Sequence, residues 1–238
     1  MDKLETHAHS PAPTAERPLL GLTILVIEDS RFACEAMRLL CLRSGARIRR
    51  ADCLRAARRH LQVYRPSVVI ADLGLPDGNG IDLIEELSKA QPRVDALLAI
   101  SGDTHLAGDA IAAGADGFIE KPLTSLVQFQ QSVLSTLPPE RQPKGLRMIV
   151  DEMVEPDHIA FQDDMAHIAD VLDDAGDSTT LDYVAQFLGG VARSASDKAL
   201  ETAALALARK RALGHSAESE KAVVAGLVQT RLAQRVAI

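Results

Sequence analysis

The chain has no tryptophan and few other aromatic residues, two tyrosines and five phenylalanines among 238 residues. Binding platforms for single-stranded nucleic acid interleave aromatic with basic side chains, and no such segment is present. Cysteine is scarce too. Cys34, Cys41 and Cys53 are odd in number and form no Cys-x-x-Cys pair, which argues against a disulfide framework or a zinc site and suits a reducing cytoplasm. No apolar run approaches the roughly 18 to 20 residues that a membrane helix needs, so no membrane span is expected. The segment up to Pro18 lacks the basic start, apolar stretch and small-residue cleavage site of a secretory signal and reads as a tail. Its His7 and His9 have no cysteine or acidic partner at ligand spacing and are not expected to hold a metal. A formal net charge of -7 and a pI near 5.5 also lack the basic footprint of a nucleic-acid binder. One stretch runs against that balance: Arg31, Arg38, Arg43, Arg47, Arg49, Arg50, Arg55, Arg58, Arg59 and Arg65 are opposed locally by Glu35 and Asp52 alone. It reads as a solvated surface paired with acidic residues elsewhere, or as a dock for an acidic partner.

What is present suits two domains at this length. Leu22 to Ile27 is a branched apolar run without alternation, as in a strand buried on both faces of a parallel sheet. The signature returns at Ser67 to Ala71 and Ala96 to Ile100, and amphipathic stretches fill the intervals. Five strands are expected near 22–28, 46–51, 67–71, 95–100 and 117–120, alternating with helices in an open α/β sheet covered on both sides. A last helix is expected over 124–137. The proline-rich segment 138–145 then reads as a linker. From 146 onward the chain is rich in alanine and free of strand-like runs, and four helices are expected near 156–174, 179–192, 197–211 and 217–236. Cap signals stand at Asp177/Ser178, Ser194 or Ser196, and Ser216. In the first of these helices Phe161, Met165, Ile168 and Leu172 form one apolar stripe, with Asp163, Asp164, Asp170, Asp173 and Asp174 off it. Leu181, Val184, Leu188 and Val191 form a similar stripe in the second, whose end Gly189 and Gly190 weaken.

Glu28 and Asp29 end the first expected strand and Asp72 ends the third, so three carboxylates distant in sequence should meet at the carboxyl edge of the sheet. Ligand sites of open α/β sheets lie there, where strand order reverses. Like charges this close raise one another's proton affinity unless a cation neutralises them, and all-oxygen ligands with open positions suit Mg²⁺. Pro76 and Gly80 follow Asp72 by four and eight residues, Ser101-Gly102 ends the fourth strand, and Lys121-Pro122 follows the fifth. Together these positions resemble the receiver domain of bacterial response regulators over residues 21–137. The resemblance implies a five-stranded, parallel, doubly wound, flavodoxin-like sheet with Asp72 as phosphoacceptor. It implies Mg²⁺ held by Glu28, Asp29, Asp72 and the backbone carbonyl of Gly74, and phosphoryl oxygens bound by Ser101 and Lys121. Phe118 matches the switch aromatic whose burial follows movement of the hydroxyl residue, and Gly102 leaves access to the site. The phosphoryl donor would be a histidine kinase or a histidine-phosphotransfer protein. The residues agree on their own terms, since a carboxylate can form a covalent phosphoanhydride.

The helical region, residues 146–238, lacks the marks of common outputs. Acidic residues outnumber basic ones there, and the cluster Arg209, Lys210 and Arg211 ends a helix, where the macrodipole already favours cations. DNA or RNA binding is therefore not expected, and no glycine-rich phosphate loop or paired metal motif suggests an enzyme. Size and helix count match a phosphotransfer bundle, but none of His158, His167 and His215 is followed by the lysine and small residues of that family. A bundle that kept its helices and lost the histidine remains a resemblance of architecture alone, and the three histidines read as surface or capping residues. The expected function is a response regulator that switches a protein–protein contact or homodimer through its helical domain, phosphorylation altering how that domain packs against the receiver face around Phe118. The alternative is a phosphoryl sink or shuttle without a dedicated output.

Overall fold

The β-branched and leucine-rich runs form five parallel strands: β1 (Thr23–Ile27), β2 (Arg47–Ala51), β3 (Val68–Asp72), β6 (Ala96–Ser101) and β7 (Gly117–Glu120), ordered β2-β1-β3-β6-β7. A small antiparallel hairpin, β4 (Gly74–Leu75) with β5 (Gly78–Asn79), follows β3. This computed structural model describes residues 12–144, 152–174 and 178–234. The expected tail histidines, the Asp177 cap and the end of the last helix lie outside them. Among the described residues no helix is long and apolar enough to cross a membrane.

Side chains alternate along each strand and feed two cores. Ile24, Val26, Val68, Ile70, Leu98 and Ile100 pack beneath α1 (Arg31–Ser44) and α5 (Leu126–Leu134). Leu25, Ile27, Val69, Ala71, Leu97 and Ala99 pack beneath α2 (Leu54–Val63), α3 (Gly80–Ser88) and α4 (Ala107–Ala112). Burial on both faces explains why these strands read as continuous apolar runs. The edge strand β2 is the exception: Arg47, Arg49 and Arg50 are exposed along it, a charged edge that discourages pairing with another sheet. Four other arginines of this stretch form ion pairs: Arg31 with Asp163, Arg38 with Glu35, Arg43 with Glu152 and Arg58 with Glu86.

After a short turn at Pro139–Arg141, residues 152–154 return to the sheet domain. The Leu126 amide donates to the Glu152 carbonyl and the Val154 amide to that of Thr124, and Val154 is buried in the α1–α5 core. Four helices follow: α6 (His158–Asp174), α7 (Ser178–Ser194), α8 (Lys198–Ala212) and α9 (Glu218–Ala233). The two expected stripes enter one core, Phe161, Met165, Ile168 and Leu172 with Val184, Leu188 and Val191, while Leu181 is only partly buried against it. Phe32 of α1 joins this core, edge-on to Phe161 at 5.8 Å. The bundle is therefore seated on α1.

Two cap expectations differ from the structure. Ser196 adopts a left-handed φ of 57°, and Asp197 caps α8 instead, accepting from the Leu200 amide at 3.1 Å. Ala217, with no side-chain cap, precedes α9 rather than Ser216. Asp197 gains from a second partner, since Arg231 near the end of α9 donates Nε to it at 2.6 Å and Nη2 at 3.1 Å. The Arg231 hydrogen bond, with its charge and the cap amides, holds the Asp197 carboxyl below the usual carboxylate range. Asp197→Ala should lower stability by about 1–2 kcal/mol at neutral pH. Because the folded-state pKa is depressed, wild type keeps this contribution above the unfolded carboxylate pKa and loses it as pH falls through the folded value. Urea unfolding of both proteins at pH 7 and at acid pH checks this; equal midpoints at pH 7 would contradict it.

Candidate functional site

β1 and β3 are neighbours in register, Ile27 opposite Ala71, so the residues after β1 and at the end of β3 emerge side by side. Ligand oxygens of Glu28, Asp29 and Asp72 lie within 4.8 Å of one another. Glu28 and Asp72 are buried and Asp29 is partly buried. Lys121, just after β7, reaches into the cluster and places Nζ 2.5 Å from Glu28 Oε2 and 2.9 Å from Asp72 Oδ2. Ser101 ends β6 beside Asp72 and is buried, its Oγ accepting from the Asp103 amide at 3.1 Å. The Gly74 amide donates to Asp72 Oδ1 at 3.3 Å. Gly80 is required by packing, since a Cβ there would lie 2.0 Å from the Asp72 carbonyl oxygen. Phe118 does not line this pocket. It is half-buried on β7 and packs into the core beneath α2, α3 and α4.

The electrostatics leave the cluster short of positive charge. Burial pushes Glu28 up to about 8 despite Lys121, with Asp72 and Asp29 adding to the rise. Burial and the charge on Asp72 push Asp29 up to about 6. Burial opposes the charge on Lys121, but Asp72 and Glu28 outweigh it and hold the ammonium above its ordinary range. Three converging carboxylates with one ammonium are a donor set into which a hard divalent cation fits.

The helical domain covers part of this pocket, rather than packing on the receiver face around Phe118 where it was expected. Tyr183 on α7 donates its hydroxyl to Asp29 Oδ2 at 2.8 Å. The Gln186 carboxamide lies against Gly74, where an added Cβ would be 1.6 Å from Nε2. Arg193 donates Nη1 to the Gly102 carbonyl at 2.9 Å, and an added Cβ at Gly102 would be 2.6 Å from that nitrogen. Gly102 was expected to leave access; Arg193 takes up that space. A cavity of about 520 Å³ runs from the acidic cluster along α7 to α8, where Leu205, Ala208 and Ala212 line it.

α6 holds the docked arrangement. Asp164, expected off the apolar stripe with the other acidic residues, is buried. Its carboxylate accepts from Ser30 Oγ at 2.7 Å and from the amides of Arg31 and Phe32 at 2.7 and 3.1 Å. It satisfies first-turn donors of α1 that no carbonyl of that helix can reach, and it suits the positive end of the macrodipole. His167, expected as a plain surface residue, is exposed but lies 3.2 Å from the Tyr183 hydroxyl and edge-on to Phe187. The available signal was the second face of α7: Tyr183, Gln186, Gly190 and Arg193 share one side of the helix, opposite the stripe that faces the bundle.

Residues 24–131 match the family described as the response regulator receiver domain. This segment is a response regulator receiver. The chain is similar to the KDP operon regulator KdpE of Escherichia coli, 29% identical over 99 residues, 42% of this chain and 44% of that protein. It is similar to the chemotaxis protein CheY of Thermotoga maritima, 29% identical over 105 residues, 43% of this chain and 88% of that one. The probable transcriptional regulator TcrX of Mycobacterium tuberculosis is 28% identical over 142 residues, 56% and 58% of the two chains. The chain thus matches about half the length of KdpE and TcrX. Among solved structures, TrrA of Thermotoga maritima, in complex with Mg²⁺ and beryllium fluoride, is 20% identical over 49% of this chain and 99% of its own, with a TM-score of 0.45. Receiver domains are regulatory phosphoacceptors, phosphorylated by histidine kinases or phosphotransfer proteins.

Removing the Asp164 carboxylate strands a buried hydroxyl and two amides of the receiver, a cost of about 1–3 kcal/mol per group. Asp164→Ala should therefore loosen the seat of the bundle on α1. Hydrogen exchange should show faster exchange at Arg31 and Phe32 and along α7, while β1 and β3 stay protected. Unchanged exchange at Arg31 and Phe32 would contradict the role given to Asp164.

Proposed function

We propose that the chain is a two-component response regulator in which Asp72 takes a phosphoryl group from a histidine kinase or phosphotransfer protein, and in which phosphorylation alters the seat of α7 over the pocket. The observation that carries this reading is the direct contact of α7 with three pocket elements, at Asp29, Gly74 and Gly102. A phosphoryl group on Asp72 could hardly go unsensed by a helix so placed.

A carboxylate oxygen of Asp72 attacks phosphorus while the bond to the donor nitrogen breaks and the nitrogen keeps its electron pair. Glu28, Asp29, Asp72 and the Gly74 carbonyl are the residues that would hold Mg²⁺, which when bound offsets negative charge on the transferring group. Lys121, now shared between Glu28 and Asp72, pairs with a phosphoryl oxygen. Ser101 Oγ turns from the Asp103 amide to donate to another, and Phe118 repacks behind it. The phosphoryl group adds about -1.5 to -2 charges beside the Tyr183–Asp29 hydrogen bond and the Arg193–Gly102 contact. Either the pocket or α7 must then shift.

The output fits a protein partner or a second copy of the chain, bound by helix surface that α7 exposes or hides. KdpE and TcrX are transcriptional regulators by name, but two of the three basic residues that end α8 are committed to ion pairs. Arg211 pairs with Asp182 at 2.9 Å and Lys210 with Glu220 at 3.7 Å. A sink or shuttle with no output would not need α7 against the pocket.

Labelling with radioactive acetyl phosphate tests the acceptor assignment. Wild type should take label only with Mg²⁺, EDTA should suppress it, and Asp72→Asn should abolish it. Label that persists in Asp72→Asn would refute the assignment.

A further inference from the structure

We infer that α7, when docked, hydrolyses the aspartyl phosphate, with the Gln186 carboxamide orienting the attacking water. This rests on Asp72 being the acceptor and adds an activity of the helical domain to it.

α7 is fixed at both ends over the pocket, by Tyr183 on Asp29 and by Arg193 on the Gly102 carbonyl. Gln186 lies between these anchors on the same face. Its amide sits against Gly74, whose own amide is bonded to Asp72 Oδ1, and it lines the same cavity as Asp72. Gly189 and Gly190 also line the cavity, and a Cβ at either would meet nothing within 4 Å. No packing demand explains them, although glycine inside a helix costs about 1 kcal/mol relative to alanine. Their effect is to keep space open above the acceptor. A cavity of about 520 Å³ has room for a phosphoryl group and several waters at roughly 30 Å³ each.

In-line displacement needs the water on the side of phosphorus away from Asp72 Oδ. Asp72 lies on the receiver floor of the cavity, so that side belongs to α7. Lys121 and Ser101 act from the floor, and Arg193 is engaged with the Gly102 carbonyl and with Glu201 at 3.2 Å. An exposed, uncharged carboxamide can accept a hydrogen bond from water and donate another to a phosphoryl oxygen, the role glutamine takes in other phosphoryl transfers. The water oxygen bonds to phosphorus, the Asp72 Oδ–P bond breaks, and Asp72 leaves as a carboxylate. Both water protons depart with the phosphate, which ionises in solution. Gln186 is the water-positioning group, and Tyr183 and Arg193 are positioning residues for α7.

The test is the lifetime of the label on the full chain with Mg²⁺ after acetyl phosphate is removed. Gln186→Met keeps size and helix propensity at an exposed position, and Gly190→Leu fills the void without touching the carboxamide. Both should lengthen the lifetime, Gln186→Met by roughly 10- to 100-fold, while hydrogen exchange of α7 in Gln186→Met stays as in wild type. An unchanged lifetime in either variant overturns the inference and leaves Asp72 as acceptor untouched. A longer lifetime accompanied by lost α7 protection in Gln186→Met also overturns it, because undocking would then explain the change. Failure of wild type to take label overturns the acceptor assignment, and this activity with it.

Discussion

Three carboxylates share a partly closed pocket with a single ammonium, and most of the surrounding structure answers that shortfall of positive charge. Two ionised carboxylates about 4 Å apart repel by about 4 kcal/mol at an effective dielectric of 20, and the raised proton affinity of Glu28 and Asp29 reflects that cost together with their burial. Parallel pairing of β1 with β3 fixes their backbones, and burial of both strands leaves no freedom to retreat. Lys121 meets two of the three carboxylates. Tyr183 gives Asp29 a hydrogen bond from the other domain. The strain is useful, since a site short of positive charge is ready for a divalent cation.

The helical domain enters this balance through few contacts, each at a sensitive place. Asp164 binds the first turn of α1, immediately after Glu28 and Asp29, so a shift at the carboxylates is felt at the Asp164 seat. Phe32 and Phe161 join the bundle core to α1. Tyr183 and Arg193 touch the two rims of the pocket. Coupling between two sites of this kind is typically worth about 1–3 kcal/mol, a change of 5- to 150-fold in an equilibrium between docked and released states. Such a switch needs no large rearrangement, only a docked state whose stability is of the same order.

The receiver was legible in the sequence because its chemistry sits at the ends of buried strands, where an acidic residue after a branched apolar run is hard to explain otherwise. Five strands, their order of appearance and the meeting of Glu28, Asp29 and Asp72 followed from that pattern, and the place of Lys121 beside them from the resemblance to receivers. The four helices were legible from their apolar stripes. Their seat on the receiver was not, because periodicity identifies the face that meets the bundle and leaves every other residue looking solvated. Asp164, Tyr183, Gln186 and Arg193 are all polar residues off those stripes. Asp164 in particular resembles its half-buried neighbour Asp163, and only the first-turn amides of α1, which lack a carbonyl partner in their own helix, distinguish them.

The central claim is that the phosphoryl state of Asp72 is read by α7. Hydrogen exchange on the full chain with Mg²⁺, with and without beryllium fluoride as phosphoryl mimic, tests it most directly, with Asp72→Ala as control. The account predicts altered protection along α7 and at the first turn of α1 in wild type, absent in Asp72→Ala. Changes confined to the receiver pocket and Phe118, with α6 to α9 unaffected, would contradict it.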